Sequence, residues 1–309
     1  MLARVRRHLG STANNRGFII VAVLWILAAL ATLASIMAVY VINSALAFAV
    51  HDERLQAGEL TRAALELVAY RIKASQDMPL RRGGLVFRLG NASVTADFNS
   101  EAARIDLNSA PKALLAGLFV GLGADPNAAN TYADRIVGYR SSPQDGTPDT
   151  EAATYRAAGS LYAPRGAPFQ HAAELALVIG IPDFMVERAM PFVTVYSGLP
   201  QVNIADAAPQ ALAALPGMDP ARLALILAQR EQDAQNVQRL IAALGPAQPL
   251  ATVSGSKAIR VTARVAFDSG QRMTSEVVIF ILDSGAEPYR VLTWRDDIED
   301  APRGRTVLR

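Results

Sequence analysis

Hydrophobic and polar positions divide the chain into stretches of different period. From Gly17 to Val50 no side chain carries a charge. The run reads GFIIVAVLWILAALATLASIMAVYVINSALAFAV and spans 34 residues. As a helix it is about 51 Å long at about 1.5 Å per residue, whereas a bilayer core needs only about 20 residues. Such a helix either tilts strongly or continues past the membrane. Over residues 52–73 the pattern becomes amphipathic. Leu55, Leu60, Ala64, Leu67, Val68 and Ile72 recur at helical spacing, and Glu53, Glu59, Arg62, Glu66 and Arg71 take the other face. One long helix over 18–75 is the simplest reading, with 18–48 in the membrane before assembly.

Strand-like runs follow. Leu85–Leu89 and Ser93–Phe98 flank Gly90-Asn91, a hairpin-like turn, and Arg104–Leu107 offers a third strand. From about 109 to 245 the chain is Ala-rich and helical. The β pattern returns in Ala258–Phe267 and Thr274–Leu282, around the turn sequence Asp268-Ser269-Gly270-Gln271, and Tyr289–Trp294 supplies a last strand. Strands on both sides of a helical block predict one α+β sheet domain, 76–107 with 249–309, interrupted by an inserted all-α domain, 108–248. Two unrelated β units would be less economical.

The helical block repeats itself weakly. Asn108-Ser109-Ala110-Pro111 opens one helix and Asp206-Ala207-Ala208-Pro209 another, each with an N-cap residue and Pro in the first turn. Gly123-Ala124-Asp125-Pro126 and Gly217-Met218-Asp219-Pro220 then turn into second helices, ending near Arg140 and Arg230. Pro111, Gly123, Pro209 and Gly217 thus mark two hairpins that resemble helix-hairpin-helix units. They are either packing elements or a nucleic-acid surface, and charge bears on the choice. Residues 202–244 hold Arg222, Arg230 and Arg239 against Asp206, Asp219, Glu231 and Asp233. Phosphate binding needs a positive footprint, which this segment lacks.

Composition adds little beyond location. The chain's formal charge is +2, but four arginines (Arg4, Arg6, Arg7 and Arg16) lie ahead of the apolar run, and the remainder carries about −2. The basic flank predicts a cytoplasmic N-terminus and an extracytoplasmic remainder. The apolar run exceeds the roughly 7–15 residues of a cleaved secretory signal. There is no Cys, so neither disulfide nor thiolate chemistry. His51 and His171 have no metal-ligand companions at useful spacing. Ser254-Gly255-Ser256-Lys257 matches Ser-x-x-Lys without its partner motifs, and Gly121-Leu122-Gly123 is followed by no lysine that reaches a phosphate. No enzyme is read from the sequence.

The junction Arg16-Gly17-Phe18 before an apolar helix resembles the type IV prepilin signal. That resemblance implies cleavage after Gly17 by a prepilin peptidase and methylation of the new Phe18 amine. With Phe18 as the first mature residue, the fifth is Ala22, where most of the superfamily carry Glu. A carboxylate there is costly unless paired, and in pilins it is thought to pair with a neighbouring subunit's terminal amine. Ala22 suits a subunit with no neighbour above it.

Further residues narrow the resemblance. They are Val23-Leu24-Trp25 without a Glu; Ile105-Asp106-Leu107-Asn108-Ser109-Ala110-Pro111; Pro168-Phe169 with Glu174-Leu175 and Val178-Ile179-Gly180; Pro191-Phe192-Val193-Thr194-Val195-Tyr196-Ser197; and Val202-Asn203-Ile204 leading to Leu215-Pro216-Gly217. In this order they resemble minor pseudopilin K of the type II, or general, secretion pathway. The resemblance implies a type IV pilin-like fold, a long N-terminal helix plus antiparallel sheet, with a large inserted helical domain. It implies an assembly helix containing Ala22, Leu24 and Trp25. It also implies a place at the tip of a periplasmic pseudopilus, with minor pseudopilins I and J as partners and the secretin and exoproteins as further contacts. The family often has an acidic, calcium-binding loop. Here that stretch keeps Asp145, Asp149 and Glu151. Three oxygen donors contribute part of a Ca²⁺ site of six to eight ligands, and they equally suit a solvated loop. The rival readings are a membrane-tethered helix-hairpin-helix protein of DNA uptake and a membrane-anchored hydrolase.

Overall fold

The computed structural model describes residues 16–75, 82–143, 149–232 and 244–296, in two compact units, Met1–Gly58 and Glu59–Arg309. The greater part of the expected leader, residues 1–15, lies outside the described residues. Helix α1 runs Arg16–Ala74. Its segment Ile19–Ser44 has a mean hydropathy of 2.7 and no buried residue. Thr32 and Ser35 donate their hydroxyls to Ala28 O and Ala31 O at 2.8 and 2.9 Å. The chain satisfies these two groups itself, as a helix in lipid must.

In the second unit, α1 buries Leu60, Thr61, Ala64, Leu65, Val68 and Ala69. These residues form adjacent columns at i, i+4 spacing. Leu55 and Leu67 were expected in that stripe, yet they are 60% and 44% exposed. Leu67 lies off those columns, and Leu65 takes the inward place. Strands β1 (Arg82–Leu89) and β2 (Ala92–Ser100) form the hairpin at Gly90, whose φ of +59° glycine adopts without a Cβ clash. The remaining sheet strands are β7 (Ala258–Phe267), β8 (Arg272–Ile281) and β9 (Tyr289–Asp296), in the antiparallel order β1-β2-β7-β8-β9. Side chains alternate strictly in β2 and nearly so in β7, with Val94, Ala96, Phe98, Val261, Ala263 and Val265 on one buried face. Tyr289 Oη donates to Glu66 Oε1 at 3.1 Å and Arg71 donates to Gly84 O at 2.9 Å, tying the helix to the sheet.

Residues 101–257 lie between β2 and β7, which are neighbours in the sheet, with Ser100 opposite Ile259. The insert therefore leaves and returns at one end of adjacent strands. It contains β3 (Ile105–Asp106), α2 (Lys112–Gly121), α3 (Pro126–Arg140), α4 (Thr150–Ala157), α5 (Asp183–Ala189), β4 (Val193–Thr194), β5 (Val202–Asn203), α6 (Pro209–Ala213), α7 (Pro220–Gln232) and β6 (Ala251–Thr252). The expected third strand is only the two residues of β3. It pairs in parallel with β4 inside the insert and does not join the main sheet. Strand β5 pairs with β6 in the same manner. A single apolar core fills the insert, built on Leu114, Leu115, Phe119, Ile136, Tyr155, Leu175, Ile204 and Leu212.

Candidate assembly site

The residues expected to assemble with other subunits begin at the processing junction. Gly17 and Phe18 are helical in backbone, and their side chains lie outside the described ones. Four residues beyond Phe18, Ala22 is half-buried, while Leu24 and Trp25 are 59% and 74% exposed. Between Ile19 and Ser44 there is no Asp, Glu, Lys or Arg, so no carboxylate meets a neighbouring amine here.

The segments β3-α2-α3 and β5-α6-α7 are built alike. Asp106 Oδ1 accepts from Asn108 N at 2.8 Å, and Asn203 Oδ1 accepts from Ala205 N at 2.8 Å, turning the chain after each short strand. Helix α2 or α6 follows, then Gly123 or Gly217 at φ +98° or +72°. Asp125 then caps α3, accepting from Asn127 N and Ala128 N, and Asp219 accepts from Arg222 N at 2.8 Å at the start of α7. At the far ends Arg140 donates to Leu107 O and to Ala110 O, and Arg230 donates to Ala207 O at 2.6 Å. Neither Asn108 nor Asp206 stands at the cap position of its helix. The residues preceding α2 and α6 are Pro111 and Ala208, neither with a side-chain cap, and Pro209 is the first helical residue of α6. Gly117 lets the two hairpins meet, since a Cβ there would stand 2.0 Å from Ala214 O. Carboxylates thus occupy the helix starts at both hairpin turns, where a phosphate would need free N–H donors.

Residues of the sequence resemblance meet in space. Asn108 brackets Phe169, donating to its carbonyl at 2.9 Å and accepting from its N–H at 2.7 Å. Buried Asp106 accepts from Ser197 Oγ at 3.0 Å and Gly198 N at 2.8 Å. Glu174 accepts from Gln170 N and His171 N and pairs with Arg165 at 3.2 Å. Tyr155 donates to Leu177 O and accepts from Ile179 N; burial pushes its hydroxyl up to about 12.

Where insert meets sheet, charges are buried together. Glu101, 1% exposed, accepts from Arg260 Nε at 2.7 Å and Nη2 at 3.0 Å, and also from Thr194 Oγ1. Arg260 also pairs with Glu276, which Arg295 reaches at 2.8 Å. Burial disfavours charge on Arg260, but Glu101 and Glu276 outweigh it and raise its pKa. Burial would raise the Glu276 carboxyl, yet Arg260, Arg104 and Arg295 hold it below the usual carboxylate range. This network joins β7, β8 and β9 to the insert. Sequence reasoning missed it because Glu101 and Arg260 are 159 positions apart. The one hint was a pair of arginines, Arg260 and Arg264, at alternating positions of β7.

In the acidic loop, Asp145 lies outside the described residues. Asp149 caps α4, accepting from Ala152 N at 2.8 Å, and Glu151 pairs with Arg135 at 2.6 Å. Glu151 Oε1 is buried with no hydrogen-bond partner, and burial raises the carboxyl's pKa against the pull of Arg135. Among the described residues no three acids or histidines stand together as a metal site.

Comparison with known proteins adds two findings. Residues 91–198 match the family described as "Type II secretion system (T2SS), protein K". The structure is similar to a chain in the crystal structure of the GspK-GspI-GspJ complex from the enterotoxigenic Escherichia coli type 2 secretion system. The TM-score is 0.56 at 15% identity, covering 81% of this chain and 98% of that one. At that identity the likeness concerns the fold, and it supports the pilin-like α+β architecture with an inserted helical domain. A search of curated proteins returns no match.

Proposed function

We propose that this chain, recognised through residues 91–198 as a type II secretion system protein K, is the minor pseudopilin at the tip of the pseudopilus. In this reading it starts pseudopilus assembly with minor pseudopilins I and J and supports export of folded proteins across the outer membrane. The observation that carries the reading is the exposed apolar segment Ile19–Ser44, on the same helix whose later turns are buried in the sheet domain. Before assembly that segment sits in the inner membrane, basic end inward. After prepilin peptidase cleaves between Gly17 and Phe18, the segment exchanges lipid for partner helices. The region 108–248 forms a head too bulky for another subunit to stack above. Ala22, Leu24 and Trp25 lie in the partner-facing turns, and Ala22 removes the carboxylate that a stacked subunit needs. The role is one of assembly, with no catalysis.

Complementation of a strain lacking this subunit tests the reading. The wild-type chain restores export of a secreted reporter, and Ala22→Glu reduces both export and recovery of the complex with I and J. If the wild-type chain fails to recover I and J from detergent-extracted membranes, the reading is wrong.

A further inference from the structure

We propose that Arg104 is a receptor for a carboxylate of a neighbouring pilin-like subunit, at the junction of sheet and insert. Three guanidinium groups share that junction (Arg104, Arg260 and Arg295), against the two carboxylates Glu101 and Glu276. Arg260 takes both oxygens of Glu101, and Thr194 takes one of them as well. Arg260 and Arg295 share Glu276 Oε1. Among the described residues the Arg104 guanidinium makes a single long hydrogen bond, from Nη1 to Met190 O at 3.4 Å. A guanidinium has five N–H donors in a fork that fits a carboxylate bidentately. Among the described residues no carboxylate hydrogen-bonds that fork: Glu101 and Glu276 act on it only at longer range, and three guanidinium groups face these two carboxylates.

Such a charge is costly to bury without a counter-ion. Burial, with Arg260 beside it, lowers the Arg104 pKa to about 10, which leaves the group charged at neutral pH. Arg104 as a residue keeps partial exposure, so the junction lies near the surface. At the same end of the sheet, Asn99 lies opposite Arg260, and its Oδ1 is buried with no donor. Among the described residues the junction is therefore incomplete. Charge complementarity selects an acidic side chain as the group that completes it. The inference rests on the reading of the chain as a subunit among pilin-like partners.

The test compares wild type, Arg104→Met and Arg104→Lys, each full-length and co-expressed with minor pseudopilins I and J. Arg104→Met should weaken the complex about tenfold or more, while the Tm of the chain alone stays equal or rises. Arg104→Lys, with charge but no fork, should fall between. If Arg104→Met binds like wild type, the proposal is overturned. A loss of Tm that parallels the loss of binding also overturns it, because Arg104 would then be structural. If acetate raises the Tm of wild type but not of Arg104→Met, and both bind I and J equally, the site takes a free anion and the proposal falls. Failure of wild type itself to bind I and J would instead refute the functional reading.

Discussion

The segment Ile19–Ser44 and the junction around Glu101 are opposite in design. The first is apolar and buries none of its residues. The second is charged and holds Glu101 at 1% exposure. Apolar surface without a protein partner demands lipid or other helices. Charge in the interior demands a counter-charge. The helix is therefore completed from outside, whereas the head is nearly completed by itself. That contrast is what a subunit needs if it is stored in a membrane, drawn into a helical bundle, and must keep a fixed head throughout.

Mutations separate the two. Glu101→Ala leaves Arg260 and Thr194 without their shared acceptor, and the predicted loss of stability is about 4 kcal/mol. Thermal melting checks this, and a loss below about 1 kcal/mol would show that the network does not hold the insert. Leu33→Lys puts a charge mid-span on a side chain now 63% exposed. It should cost about 3 kcal/mol in membrane insertion. Carbonate extraction should show weaker retention while the head melts as before. Gly117→Ala forces the hairpins apart at Ala214 and should cost about 2 kcal/mol, without changing membrane retention. Arg135→Gln unpairs the partly buried Glu151 and should cost about 1 kcal/mol. Millimolar Ca²⁺ should restore the Tm of that variant if Asp145, Asp149 and Glu151 take calcium; an unchanged Tm would remove that expectation.

Periodic features were legible from sequence. The β7 expectation, Ala258–Phe267, coincides with the strand observed, because buried and open positions alternate along most of it. The hairpin at Gly90 and the turns at Gly123 and Gly217 were readable because glycine takes a positive φ cheaply there. Arg104–Leu107 misled because two residues of parallel pairing look like any short apolar run. Asn108 and Asp206 misled because a capping residue also serves other turns, and Asn108 is committed to Phe169. Within the assembly helix, the absence of a carboxylate at Ala22 was visible at once. The charges at the junction were not, since nothing local announces that Glu101 meets Arg260. Nor does the motif KALLAGLFVG reveal that Gly117 sits against Ala214 O.

Intact mass and N-terminal sequencing of the chain, extracted from membranes after co-expression with its prepilin peptidase, test the central claim most directly. A mature chain beginning at methylated Phe18 is the predicted result. A chain that retains Met1, or is cut elsewhere, would contradict the account and make the apolar helix an ordinary anchor.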